Sequence, residues 1–190
     1  MIRFFVAYLV SIACWFAVEM SLLVRDRVRR ESRQRRDRGT RAVLVLAFAV
    51  AMVSAFALPS LVPQAATPAR RGFALAGLAL IWLGLAVRVW AVLTLGTSFR
   101  TVVHVEAGQP VVSGGPYRWI RHPSYAGLLV IALGCGLGAG NWLSIVVATV
   151  IPAAGLLARI RVEEAELARV LGEPYRAYQR VTRRLVPGLW

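Results

Sequence analysis

The chain has 190 residues, of which 58% are hydrophobic and only 17% are charged, and its 23 basic and 9 acidic residues leave a formal net charge of +14. All 23 basic residues are arginines, and they cluster beside long apolar runs, as in the cytoplasmic loops of membrane proteins. This pattern excludes an ordinary soluble domain, in which about a quarter of the residues are charged. It also accounts for the basic charge without a nucleic-acid-binding surface.

Five apolar segments predict five membrane-spanning helices, because each of the longer runs has about the 20 residues that cross a hydrocarbon core. Their expected ranges are 2–24, 42–62, 72–95, 124–138 and 142–157. The last two form a hairpin around 138–141, and their short length predicts tilt or local thinning of the bilayer. The predicted fold is an all-α integral membrane protein with a short hairpin of helices 4 and 5 and a cytoplasmic C-terminal helical segment.

The distribution of arginine predicts the orientation in the membrane. Nine arginines lie at 25–41, three at 96–123 and seven from Arg159 onward, and with five spans these segments share one face. The positive-inside rule assigns that face to the cytoplasm, because the opposite face carries only three arginines. We therefore expect an outer N-terminus and a cytoplasmic C-terminus. Arginine and alanine without lysine are typical of a GC-rich bacterial genome, which indicates a bacterial cytoplasmic membrane.

The first candidate site is the stretch 115–127, GPYRWIRHPSYAG, between two hydrophobic segments. Pro123 suits the first turn of a helix, which places Arg121 and His122 at a helix N-terminus. Free N–H groups and the helix dipole stabilise anions there, for example a carboxylate. The aromatic residues of the stretch are equally compatible with an anchor at the membrane interface. The residues alone leave both interpretations open.

The second candidate site is RIRVEEAEL at 159–167, where the fifth span leaves the membrane. Arg159 and Glu163 are four residues apart and share a helix face. One interpretation is a surface ion pair worth roughly a few tenths of a kcal/mol. In the other, Arg159 holds an anionic substrate and Glu163 holds a polar or cationic ligand group. The second is favoured, because a base preceding an acid is the weaker order for a helical pair.

Three further features have structural interpretations. Arg88 lies inside the third span, where an ionisable group is either functional or extends to the interface. Glycines at 134–140 follow no strand and favour close packing of the two hairpin limbs over a nucleotide loop. The segment 171–190, with Tyr175 and Tyr178 three residues apart, predicts an interfacial amphipathic anchor that can also cover the site.

The sequence VVSGGPYRWIRHPSYAG, the hairpin and then RIRVEEAEL, LGEPYRAYQR and RLVPGLW together resemble the isoprenylcysteine carboxyl methyltransferase family. They are more distantly similar to membrane phospholipid methyltransferases. The resemblance covers about 98–190 and implies an enzyme that transfers the methyl group of S-adenosylmethionine to a lipophilic acceptor arriving from the bilayer. It also implies two regions: helices 1–3 with the Arg-rich loop at 1–95, and the catalytic region at 96–190.

The resemblance implies roles for individual residues. The cofactor-binding residues are expected to be His104, Gln109, Pro110, Val111, Val112, Tyr117, His122, Pro123, Ser124, Tyr125 and Glu163. Arg159 falls on the residue that orients the acceptor carboxylate, and Glu164 completes an acidic pair. No metal is expected, and Arg118 and Trp119 are assigned to the membrane interface.

The nature of the acceptor stays open at this stage. A carboxylate of the isoprenylcysteine type is favoured, because Arg159 is a permanent cation. A phospholipid amine or a small thiol is the alternative, and a membrane scaffold that has lost catalysis is the third possibility. The expected partners are the acceptor and membrane lipids, without nucleic acid.

Overall fold

The computed structural model describes residues 2–28, 39–99 and 108–188, and within these ranges its regular structure is helical apart from isolated β-bridges. The helices are α1 (Ile2–Val28), α2 (Thr40–Leu61), α3 (Arg70–Leu95), α4 (Pro123–Gly138), α5 (Trp142–Leu171) and α6 (Glu173–Val181). α1, α2, α3 and α5 are long and apolar enough to cross a membrane, and α4 is a shorter apolar helix. The predicted all-α architecture with five apolar helices is confirmed.

The fifth apolar segment, predicted at 142–157, is the first part of a longer helix, because α5 continues without a break to Leu171. Pro152 lies inside α5 and does not end it. Beyond the apolar stretch, the same helix carries Arg159 and Glu163 into the polar end of the bundle. Of the two hairpin limbs, only α4 is short.

α3 and α4 pack backbone against backbone through two pairs of glycines. A Cβ atom built on Gly84 would lie 2.6 Å from the carbonyl oxygen of Gly127, and one on Gly77 would lie 2.5 Å from that of Gly134. Small residues at such positions let membrane helices approach closely, where van der Waals packing drives association. This contact fixes α4 against the centre of α3.

The glycines at 134–140 serve more helices than the hairpin limbs that we predicted. Gly136 faces α5, where an added Cβ would lie 2.8 Å from Ile145 Cα. Gly134 instead faces α3, and Gly138 accommodates the ring of Tyr8 from α1. The prediction was incomplete because α4 lies among several helices, and sequence spacing does not show which neighbour each glycine faces.

Arg88 is buried in the protein and does not extend to the membrane interface. It is 4% exposed, and its guanidinium donates to both carboxylate oxygens of Glu19 at 2.6 and 2.7 Å. It also donates to the Ser124 hydroxyl at the start of α4. A charge within a span needs such partners. Here the ion pair connects α3 to α1, and the hydrogen bond to Ser124 connects α3 to α4.

Gly84→Ala is expected to destabilise the protein by about 1–3 kcal/mol, because the new methyl group forces α3 and α4 apart. Gly72→Ala is the matched control, since the nearest atom to its added Cβ is Ala69 Cβ at 4.0 Å. At an open helical site, alanine is favoured over glycine by up to about 1 kcal/mol. Thermal unfolding in detergent should show a lower midpoint for Gly84→Ala alone, and equal midpoints would contradict the packing described here.

Candidate functional site

The segment after α6 lies directly beside the start of α4. Backbone N–H groups of Arg121 and His122 donate to the carbonyl oxygens of Arg183 at 2.7 Å and Arg184 at 3.0 Å. The Arg183 N–H donates to the carbonyl oxygen of Trp119 at 3.3 Å. His122 caps α4 and Pro123 takes its first turn, as the sequence predicted. The C-terminal segment is therefore hydrogen-bonded to the residues that lead into α4.

The buried carboxylate of Glu164 joins three parts of this site. Glu164 is 5% exposed, and Arg121 Nε donates to its Oε1 at 2.7 Å. His122 Nε2 lies 3.3 Å from the same oxygen, and Arg184 Nε donates to Oε2 at 3.0 Å. A buried charge is tolerated only when it is paired and hydrogen-bonded. Glu164 therefore holds α5, the start of α4 and the C-terminal segment together.

Tyr125 connects the two residues that the sequence placed on one face of α5. Its hydroxyl donates to Glu163 Oε2 at 2.6 Å and accepts from Arg159 Nε at 2.8 Å. Arg159 is only 3% exposed, so the interpretation of an exposed surface ion pair with Glu163 is wrong. The His122 ring stacks on Tyr125 with a centroid separation of 5.5 Å and an interplanar angle of 11°.

A cleft with a cavity volume of about 120 Å³ opens between these residues and α6. Nine of the predicted cofactor residues line it: Gln109, Pro110, Val111, Val112, Tyr117, His122, Ser124, Tyr125 and Glu163. Pro123 is buried in the first turn of α4 and does not line the cleft. His104 lies outside the described residues. We call this space the polar cleft.

The polar cleft also contains Tyr175, which the sequence analysis did not assign to the site. The Tyr175 side chain is 3% exposed, and its hydroxyl has no hydrogen-bond partner among the described residues. The neighbouring Tyr178 instead donates to the carbonyl oxygen of Tyr117 at 2.6 Å. Burial raises the pKa of the Tyr175 phenol, so the hydroxyl stays protonated at neutral pH. The sequence signal that could have identified Tyr175 was its spacing of three residues from Tyr178. α6 covers the cleft with these two side chains.

A second cleft, with a cavity volume of about 210 Å³, lies on the other side of Tyr125 and is formed mainly by α1, α2 and α4. Its walls are largely apolar and include Leu44, Phe48 and Leu128. Arg159 lines this space and not the polar cleft. The two clefts share Tyr125 and Phe99. We call the second space the apolar cleft.

Arg118 and Trp119 lie outside both clefts. The Arg118 guanidinium carbon is 3.8 Å from the Trp119 ring centroid, and Trp119 is 45% exposed. Trp119 also meets Trp90 edge to face, with centroids 6.1 Å apart. An exposed aromatic cluster beside a basic residue is typical of the membrane–water interface.

The fold and the two adjoining clefts define a multi-span membrane protein with a polar and an apolar binding space around one tyrosine. Residues 77–169 match the sequence model of the isoprenylcysteine carboxyl methyltransferase (ICMT) family. The match covers slightly less than half of the chain, and over these residues the chain is similar to that family.

Individual relatives show the same similarity. A probable protein-S-isoprenylcysteine O-methyltransferase of Oryza sativa subsp. indica is 36% identical over 104 residues, which are 54% of each chain. An uncharacterized Bacillus subtilis protein, YpbQ, is 33% identical over 94 residues, or 45% of this chain and 56% of the relative. The chain thus spans about half the length of the curated relatives it matches.

A solved structure shows that the similarity extends to the fold. The structure of the eukaryotic intramembrane Ras methyltransferase ICMT superposes with a TM-score of 0.64 at 28% identity. The superposition covers 76% of this chain and 52% of that one.

Glu164→Gln is expected to lower stability by about 3–5 kcal/mol, because it leaves Arg121 and Arg184 without their buried counter-charge. It should also release the C-terminal segment, so that limited trypsin digestion cuts faster after Arg183 and Arg184. Glu173→Gln is the matched control, since its ion pair with Arg180 is 65% exposed on both sides and is worth about 0–1 kcal/mol. Equal thermal midpoints and equal digestion rates for the two variants would contradict the role of Glu164.

Proposed function

We propose that this protein uses S-adenosylmethionine to methylate the carboxylate of a lipophilic acceptor of the isoprenylcysteine type. The observation that carries the proposal is the position of Tyr125 between the two clefts. Its hydroxyl is hydrogen-bonded to Glu163 of the polar cleft and to Arg159 of the apolar cleft. We infer that the polar cleft opens toward the cytoplasm, since it lies at the end of the bundle where the arginine-rich segments cluster.

The polar cleft suits S-adenosylmethionine in its chemistry. The carboxylate of Glu163 and the ring of Tyr125 both favour a cationic ligand. Val111, Val112 and Leu167 provide apolar walls for a base, and the unpaired Tyr175 hydroxyl lies ready for a ligand polar group.

The apolar cleft suits an acceptor that is both lipophilic and anionic. The described residues that line it include Arg41, Arg88 and Arg159 and one acid, Glu19, which is paired with Arg88. This excess of positive charge favours a carboxylate over an amine. A guanidinium binds a carboxylate through two parallel hydrogen bonds, which also fixes its orientation. The apolar walls from α1 and α2 would then receive the lipid chain.

The proposed reaction requires positioning more than acid–base chemistry. When bound, S-adenosylmethionine supplies an electrophilic methyl group, and its transfer to an ionised carboxylate releases no proton. This chain therefore need not provide a general base. Arg159 and Glu163 lie one turn apart on the rigid α5, and Tyr125 ties them together across the boundary of the clefts. Holding two reactants in such a fixed geometry accounts for a large share of catalysis.

The deciding experiment incubates the purified protein with methyl-labelled S-adenosylmethionine and an S-prenylated N-acylcysteine. We expect a methyl ester, which alkali hydrolyses to volatile labelled methanol. Arg159→Ala should lower kcat/KM for this acceptor about 100-fold, the value of a charged hydrogen-bonded contact. Its affinity for S-adenosylhomocysteine should change less than twofold, because Arg159 lines the other cleft.

Arg161→Ala is the matched control, because Arg161 is an exposed arginine of the same helix. It should retain full activity. Alkali-stable label in a lipid amine or a thioether would overturn the carboxylate acceptor, and the absence of any transfer would favour the scaffold. Near-normal turnover of Arg159→Ala would refute the role of Arg159.

We also propose that Tyr175 contacts the ligand within the proposed cofactor site. Tyr175→Phe should weaken S-adenosylhomocysteine binding about 3- to 10-fold, the value of one hydrogen bond. The ligand-free protein should be as stable as the wild type or more stable, because the variant loses only an unpaired buried hydroxyl. Tyr178→Phe should instead lower stability, since Tyr178 donates to Tyr117. Calorimetry and thermal unfolding separate the two effects, and unchanged affinity in Tyr175→Phe would refute the contact.

A further inference from the structure

A third space lies at the end of the bundle opposite the polar cleft. It is a groove of about 900 Å³ between α1, α2 and the adjoining ends of α3 and α4. The described residues that line it include none that line the polar or the apolar cleft. α4 begins at the polar cleft and ends at this groove, and its 16 residues span about 24 Å. Nothing in the proposed methyl transfer uses the groove.

The walls of the groove are apolar and follow the membrane-spanning part of α1. Phe5, Leu9 and Phe56 line it and are each more than 40% exposed. The groove extends along α1 from Phe4 to Ile12, which is about 12 Å of helix. Large apolar side chains facing such a space match a hydrocarbon chain.

The mouth of the groove is positively charged. Arg70 and Arg71 begin α3 there, both are exposed, and neither forms an ion pair with an acid among the described residues. The described lining of the groove contains no acid. The Arg71 guanidinium lies 5.9 Å from the Phe4 ring, and the Arg70 side chain lies against the turn at Gly140. Both arginines are thus placed at the point where the apolar walls begin.

The apolar walls of the groove and the two arginines at its mouth match a ligand in which an anion is joined to an apolar chain. Guanidinium groups bind phosphate through paired, charge-assisted hydrogen bonds, and the positive end of the α3 dipole adds to the attraction. The start of a spanning helix lies near the membrane–water boundary, where lipid phosphates lie. A pair of arginines is also unusual at the end of the bundle that carries few other basic residues.

We propose that the groove binds one anionic phospholipid. Arg70 and Arg71 hold its phosphate, and one acyl chain lies along Phe5, Leu9 and Phe56. Such a lipid would fill the space between α1 and α2 and would stabilise the folded protein in proportion to its occupancy. α1 also supplies Trp15 and Glu19 to the apolar cleft, so the lipid supports the helix that forms part of that wall.

The test titrates the delipidated, detergent-purified full chain with phosphatidylglycerol or phosphatidylcholine and follows thermal unfolding and native mass spectrometry. We expect a one-to-one complex with phosphatidylglycerol, a rise in the unfolding midpoint, and affinity at least tenfold higher than for phosphatidylcholine. Glycerophosphoglycerol, the head group without acyl chains, should not raise the midpoint. Equal affinity for the two lipids, equal stabilisation by the head group alone, or a dimer in place of the lipid complex would overturn the proposal.

Substitutions of Arg70 and Arg71 test whether these two arginines bind the lipid phosphate. Arg70→Gln with Arg71→Gln should lower the phosphatidylglycerol affinity at least tenfold, and Arg70→Lys with Arg71→Lys should restore part of it. Arg161→Gln with Arg176→Gln is the control, because it removes the same charge from exposed positions of α5 and α6. Wild-type affinity in the first variant, or an equal loss in the control, would refute the site.

Discussion

The buried charge of Glu164 is the constraint on which the site depends. A carboxylate that is removed from water must be surrounded by donors, and the donors here come from the residues before α4 and from the segment after α6. Satisfying one carboxylate therefore brings three parts of the chain together. Once they are in place, Glu163 on the adjacent position of α5 meets Tyr125 from α4, and the polar cleft closes beneath α6.

Two adjacent acids thus have different tasks, and helix geometry is the reason. Successive residues of an α-helix point about 100° apart, so Glu163 faces the clefts while Glu164 faces the chain segments it holds. Arg159, one turn before Glu163, is brought to the same boundary. α5 positions both because it continues beyond its apolar stretch without a break.

The close contact of α3 with α4 explains where the open spaces lie. Glycines let these two helices meet at backbone distance, and the Arg88–Glu19 ion pair connects α1 to them near one end. Tyr8 attaches α1 near the other end, where its hydroxyl donates to the carbonyl oxygen of Ala74 at 2.9 Å. Between α1 and α2 the packing is open, and both the apolar cleft and the groove at Arg70 and Arg71 form there.

The sequence by itself determined the apolar helices, the start of α4 at Pro123 and the shared face of Arg159 and Glu163. These features depend on apolar length, proline geometry and helical periodicity, which are local properties of the chain. It also placed most of the residues that line the polar cleft, through their resemblance to a family. The extent of α5 to Leu171 was not predicted, because a polar helix can continue a spanning one without any signal at the boundary.

Only the tertiary structure decided the pairing of Arg88 with Glu19, the role of Glu164, the burial of Tyr175 and the separation of the clefts by Tyr125. Each of these depends on partners far apart in the chain: Glu19 and Arg88 are 69 residues apart, and Arg121 and Glu164 are 43. Whether a charged or phenolic group is exposed, paired or left unpaired for a ligand is set by what packs against it. That environment is a property of the assembled helices and not of local sequence.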